Sequence, residues 1–182
     1  MNMEICRNHT GLLVVDLQER LVNAMPEDTR GPAIKNCETL VYLSEQLGLP
    51  IGVTEQYPQG LGPTIDDLGT LRGRGLPKTE FSAWRNPEIR QMIESANRQQ
   101  WILTGLETHI CVFQTARDLI GHGYTVWIPA DAVLSRRRDN WEIGLSLLKE
   151  CGAHIASTES LLFDLLKDGK GALFREISRR IR

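Results

Sequence analysis

The stretch Gly11-Leu12-Leu13-Val14-Val15-Asp16 decides the architecture. Its apolar residues run on without alternating with polar ones, as in a strand covered on both faces, and such strands belong to parallel sheets. Working outward, shorter apolar runs recur at residues 50–54, 101–104, 124–128 and 153–156. Helical periods fill the gaps. Residues 33–47 set Ile34, Cys37, Leu40, Val41 and Leu47 on one face, and Gly48 ends the run. Residues 87–97 open on a proline, the usual place for one in a helix. Residues 111–120 turn Val112, Ala116, Leu119 and Ile120 inward, with Gly121 and Gly123 after them. Residues 140–150 carry Trp141, Leu145 and Leu148 on one stripe, and residues 158–167 follow a Ser157 or Thr158 cap. The basic residues 169–182 read as a final helix or an arm. Strands alternating with helices predict an α/β fold, a parallel sheet covered by helices on both faces.

The chain has 182 residues, enough for one domain over residues 1–182 with a core that needs no staples. With 21 Lys and Arg against 23 Asp and Glu, its net charge is −2, which argues against a general nucleic-acid binder. No apolar run approaches the roughly 18 residues that cross a membrane. The polar start, residues 1–10, has no signal-peptide core. Cys6, Cys37, Cys111 and Cys151 are widely spaced and form no C-x-x-C, so free thiols in a reducing, cytoplasmic setting are expected. No 20–50-residue repeat and no low-complexity tract occurs.

In parallel sheets ligands sit beyond the carboxyl ends of the strands. That rule selects Asp16, Glu55 and Gln56, the turn at residues 105–111, and Asp131. Residues 55–77, rich in Gly and Pro, read as the longest irregular stretch, and long loops in compact domains tend to be functional. Residues 73–79 faintly suggest a phosphate loop, but Pro77 stands where a glycine is required. The run Arg136-Arg137-Arg138 reads as a solvated loop, a subunit rim or an anion site. Asp16 is either a cap or, if desolvated, a carboxylate whose raised pKa lets it move protons. Cys111 opens a helix after a strand and turn, where the dipole favours thiolate and the free N–H groups receive an oxyanion; its alternative is a structural core cysteine. Cys37 and Cys151 fall on apolar stripes and Cys6 in a mobile start. Lys78 is either a surface residue or one held in an apolar pocket by Leu76, Phe81 and Trp84 beside a thiolate. His109, two residues before Cys111, is a weaker candidate than Asp16 for the base.

Leu13-Val-Val-Asp16-Leu-Gln18, Pro77-Lys78-Thr-Glu-Phe81-Ser82, the run from Thr104 through Cys111 to Asp118, and Asp131-Ala132 together resemble the isochorismatase-like cysteine hydrolases. The resemblance spans residues 10–164. It implies a three-layer α/β/α sandwich, Rossmann-like, around a six-stranded, mainly parallel sheet. It implies a catalytic triad of Asp16, Lys78 and Cys111, and a cis peptide at Leu106–Glu107 that turns N–H groups of Glu107 and Cys111 toward an oxyanion. Gln18, Glu55, Gln56, Tyr57, Phe81, Trp84, Thr108 and His109 are the residues expected to shape a substrate pocket, although packing is an equal reading for Tyr57, Phe81 and Trp84.

Two departures narrow the expectation. Nicotinamidases carry an Asp-x-His-Pro metal segment; here it reads Glu55-Gln56-Tyr57-Pro58, and no histidine falls between His9 and His109. No metal and no cofactor is therefore expected. True isochorismatases split a vinyl ether and lack the cysteine that this chain has. The wording is most similar to the isochorismatase-domain hydrolases of unassigned substrate. The resemblance thus implies a hydrolase of a small amide-type C–N bond acting through a thioester. The alternatives are a catalytically idle oligomeric scaffold, isochorismatase-type ether hydrolysis, or a redox-responsive thiol protein. The expected partners are a small-molecule substrate and further copies of the chain, with the tryptophans and the basic end (residues 175–182) at the subunit interface; neither nucleic acid nor membrane is expected.

Overall fold

The structure, a computed structural model, describes residues 4–181. The first three residues of the polar start and the last arginine of the basic end lie outside the described residues.

The opening apolar stretch is strand β1 (Thr10–Val15), and all six of its residues are buried. Around it lie β2 (Ile51–Gln56), β3 (Leu76–Lys78), β4 (Gln100–Leu106), β5 (Thr125–Pro129), β6 (Val133–Leu134) and β7 (His154–Ala156). The order is β3-β2-β1-β4-β5-β7, with β6 pairing the end of β4. Every pairing between these strands is parallel. The six-stranded path is therefore present, and the two-residue β6 makes a seventh strand.

Period-2 alternation along β1 divides the core. Leu12 and Val14 face α2 (Glu27–Gln46), α7 (Thr158–Leu166) and α8 (Ala172–Arg180), meeting Leu40, Leu43, Leu161, Leu162 and Ile177. Leu13 and Val15 face α4 (Pro87–Ser95), α5 (Phe113–Gly121) and α6 (Arg138–Glu150), meeting Ile89, Ile93, Val112, Leu119 and Leu148. At about 25 cal/mol per Å² of apolar surface removed from water, these two clusters supply the main drive for folding.

Four expectations change. After a short α1 (Glu19–Asn23), helix α2 starts at Glu27, not residue 33, and contains Pro32. None of its residues before Ala33 is buried, so no apolar period marks that part. The stretch at residues 55–77 is more ordered than expected: it holds the end of β2, a short α3 (Pro58–Leu61), a 3-10 segment (Asp66–Leu71) and the start of β3. Three of the four tryptophans are not free for an interface: Trp101 is fully buried and Trp84 and Trp127 nearly so, while Trp141 stays partly exposed with its N–H on the carbonyls of Ala130 and Val133. The basic end takes one of its two expected forms, helix α8, anchored through buried Ile177. Cys6 is tied down as well, its amide donating to Gln100 Oε1 at 2.9 Å.

The chain builds β2 and β3 on one side of β1 and β4, β5 and β7 on the other. The order reverses between β1 and β4, and the crevice beyond the carboxyl ends of such strands is where ligands sit.

Candidate active site

Asp16 follows β1 and lies in the left-handed region (φ 50), which aspartate enters more readily than most residues. It is 0% exposed. Its Oδ2 accepts from Lys78 Nζ at 2.6 Å, and its Oδ1 accepts from Thr54 Oγ1 at 2.7 Å. Lys78 closes β3 at 3% exposure, with Gln56 as its register partner on β2. Its ammonium also donates to Gln56 Oε1 at 2.6 Å and to the carbonyls of Glu80 and Phe81 at 3.2 and 3.3 Å. The expected apolar pocket for Lys78 is therefore replaced by a ring of oxygens. A buried ammonium demands that: without paired charge and acceptors its desolvation would go uncompensated.

Cys111 arrives from β4. Gly105 has φ 116, and a Cβ there would lie 2.0 Å from the Val15 carbonyl oxygen, so only glycine lets β4 pass β1 so closely. The Leu106–Glu107 peptide is cis. A single π-helical turn (Thr108–Val112) then leads into α5. Cys111 thus sits inside that turn, two residues before the α-helix where it was expected to open one. It is 6% exposed, and the Asp16 carboxylate is close enough to act on its thiol. Burial first and the Asp16 charge second push the thiol up to about 12; Lys78 and the Glu107 main chain pull the other way and lose. The expectation of a dipole-stabilised thiolate is corrected: desolvation beside a carboxylate outweighs the turn's N–H groups.

The expected pocket residues separate into groups. Gln56 touches the centre directly, through Lys78. Gln18 is a brace: its Nε2 donates to the carbonyls of Gln56 and Gly62 at 3.0 and 2.7 Å, and its Oε1 accepts from the Gln56 amide at 2.7 Å. Glu55 points to the other side of β2, where its Oε1 accepts from Thr64 N and Oγ1, both at 2.7 Å. Tyr57 and Phe81 flank Lys78 and are 56% and 53% exposed. Trp84 lies away from the centre, packed on His122 and Tyr124 beyond the far end of α5. His109 Nδ1 pairs with Ser135 Oγ at 2.9 Å. Thr108 is buried, and its hydroxyl has no partner. Asp131 caps α7, accepting from Thr158 N and Oγ1 at 2.7 and 2.8 Å.

Thr54 was missed as a site residue. Its signal was its place two residues before Gln56, on the same face of β2. Among the described residues, no three His, Cys, Asp or Glu side chains gather as a metal site, and no helix is long and apolar enough to cross a membrane.

Fold and site define a class: a parallel α/β sandwich with a buried carboxylate, ammonium and thiol at the strand ends. Comparison with known proteins narrows it. The chain belongs to the isochorismatase-domain family, whose profile it matches over residues 10–160. It is 35% identical over 168 residues to isochorismatase domain-containing protein 2 of Danio rerio, covering 92% of this chain and 84% of that one. The solved structure of MAR1 ribonuclease from Caenorhabditis elegans superposes with a TM-score of 0.86 at 30% identity, covering 98% of this chain and 92% of that one. The YcaC gene product of Escherichia coli, described as an octameric hydrolase of unknown specificity, shares the fold at a TM-score of 0.89 and 19% identity, over 99% and 91% of the chains.

Proposed function

We propose that the chain is a cysteine hydrolase of small amide-type C–N bonds, with Cys111 as nucleophile, Asp16 as proton carrier and Lys78 as the fixed countercharge. The observation that carries this reading is the buried Asp16 carboxylate, held by Lys78 at 2.6 Å on one side and reaching the Cys111 thiol on the other. A thiol raised to about 12 rests protonated, so it needs its base in place at the moment of attack. Asp16 takes the Sγ proton as sulfur bonds to the carbonyl carbon. Main-chain N–H groups of the turn, those of Glu107 and Cys111 first, face the oxyanion. Asp16 passes the proton to nitrogen as the C–N bond breaks and the amine leaves. Water then attacks the thioester, Asp16 accepts its proton, and the C–S bond breaks with the proton returned to sulfur. The sum is amide plus water giving acid plus amine. Lys78 stays in place throughout, its donors engaged with Asp16, Gln56 and two carbonyls.

Tyr57 and Phe81 at the rim suit an apolar body on the substrate. The four free thiols support a cytoplasmic setting, and the octameric relative supports a homo-oligomer. A panel of small amides, followed by amine release and by the intact mass of the protein, tests the proposal. Turnover with a Cys111-bound acyl group is the expected result; full turnover by Cys111→Ala sinks it. The ribonuclease among the similar structures favours a second reading, phosphodiester cleavage. RNA belongs in the same panel, and cleavage of RNA but of no amide would replace the first reading with the second.

A further inference from the structure

We infer that the segment joining β6 to α6 is a positioning device for Cys111, with Glu107 and Arg136 as its working pair. This rests on the proposed role of Cys111. Two side-chain contacts fasten the turn that carries the thiol to this segment, and the helix that follows it adds a third. The buried Glu107 carboxylate accepts from the Arg136 amide at 2.9 Å and from Arg136 Nε at 3.1 and 3.2 Å. His109 Nδ1 meets Ser135 Oγ at 2.9 Å. Gly144 of α6 lies against the turn's main chain: a Cβ there would sit 2.9 Å from His109 N and 3.0 Å from the Thr108 carbonyl carbon.

Glu107 is the hinge of the arrangement. Its carbonyl accepts from the amides of Ile110 and Val112, the residues on either side of Cys111, at 3.0 and 3.2 Å. Fixing its carboxylate therefore fixes the turn that carries the sulfur. The arginine run divides accordingly. Arg137 and Arg138 pair on the surface with Asp139 and Glu142, while Arg136 turns its amide and guanidinium to Glu107. This accounts for one arginine of a run that otherwise reads as a solvated charge patch or an anion site. The Arg136 side chain is 59% exposed, so the pair adds little to stability, and its effect falls on geometry.

The test is the rate at which iodoacetamide labels Cys111, located by peptide mass, set beside the melting temperature. A displacement of about 1 Å can cost up to about 10²-fold in reactivity, so Arg136→Ala and Glu107→Gln should slow labelling by about tenfold or more while melting close to the parent. Arg136→Lys should recover part of the rate, and Gly144→Ala should slow labelling by a second route. Arg137→Ala is the control and should label like the parent. Labelling within twofold of the parent in folded Arg136→Ala and Glu107→Gln overturns the inference. So does a loss that tracks the melting temperature across the series, because that is what a merely structural pair would give. The readout is the thiol itself, so it stands apart from the amide panel: turnover retained by Cys111→Ala removes the catalytic reading and leaves the labelling result to be judged alone.

Discussion

Cys37 and Cys111 lie on opposite faces of one sheet, and burial pushes both thiols up to about 12. Their neighbours differ. Cys37 Sγ is 2.7 Å from Thr104 Oγ1 and donates to the Ala132 carbonyl at 3.2 Å. Neither partner accepts a proton at neutral pH, and the Asp131 carboxylate, which acts on this thiol through its charge alone, is spent on Thr158. Cys111 faces Asp16, which Lys78 and Thr54 hold in place. A high thiol pKa therefore separates nothing here. What separates the two is a base within reach, and only the cysteine beyond the strand ends has one.

The widest gap between the two should come from deletion. Cys111→Ala should lower amide turnover by at least about 10³-fold, the scale seen when nucleophiles are removed elsewhere. Cys37→Ala should keep turnover and lose about 1–3 kcal/mol of stability, the ordinary cost of a core truncation. Urea unfolding and initial rates measured on both variants check this, and comparable turnover in the two would erase the distinction.

Asp16→Asn comes next. Loss of the proton carrier should cost about 10²–10⁴-fold in rate. It should also strand the buried Lys78 ammonium, and breaking a buried pair costs about 3–5 kcal/mol. The same substitution should leave the reactivity of Cys37 unchanged. Lys78→Met strands Asp16 instead and should destabilise by a similar amount. If both variants melt like the parent, the pair is not the structural fixture that its geometry describes.

Thr54→Val is the finer test. It nearly preserves shape and removes one hydrogen bond to a carboxylate, worth about 1.5–3 kcal/mol. Turnover should fall far less than in Asp16→Asn, because Lys78 still holds Oδ2. A loss equal to that of Asp16→Asn would make the threonine a participant and not a support.

How much of this contrast could be read from the chain follows from how local each signal is. The uninterrupted run ending at Asp16 carries the parallel sheet, and strand-end placement selects Asp16 and the turn before Cys111. Lys78 is another matter. Its three-residue strand lies in a Gly- and Pro-rich stretch with no period, and only the resemblance brought it to the site. The ring of oxygens around it comes from β2 and from carbonyls of its own loop, which no local pattern reveals. Trp84 was misplaced because it follows Lys78 closely in sequence while the chain carries it to the far end of α5. The pKa of Cys111 was expected in the wrong direction because a helix start is visible in sequence and desolvation is not. Arg136 was hidden among equals: a charge run does not say which of its members turns inward.

Alkaline pH gives the smallest effect and the most symmetrical one. In both thiols the folded pKa lies above the ordinary 9.0, so the fold favours the protonated form. The associated stability is fully present below pH 9.0 and is lost as pH rises toward about 12. Cys37→Ser and Cys111→Ser each remove one such group, so each should flatten the fall of the melting temperature above pH 9.0. In a chain of this size each kcal/mol moves the midpoint by about 2–4 °C, which melting curves resolve. The two serine variants should flatten the fall to a similar degree, while only one of them loses turnover. A flattening confined to Cys111→Ser would mean that Cys37 ionises freely in the fold, and that the two sides of the sheet differ in solvation as well as in whether a base is at hand.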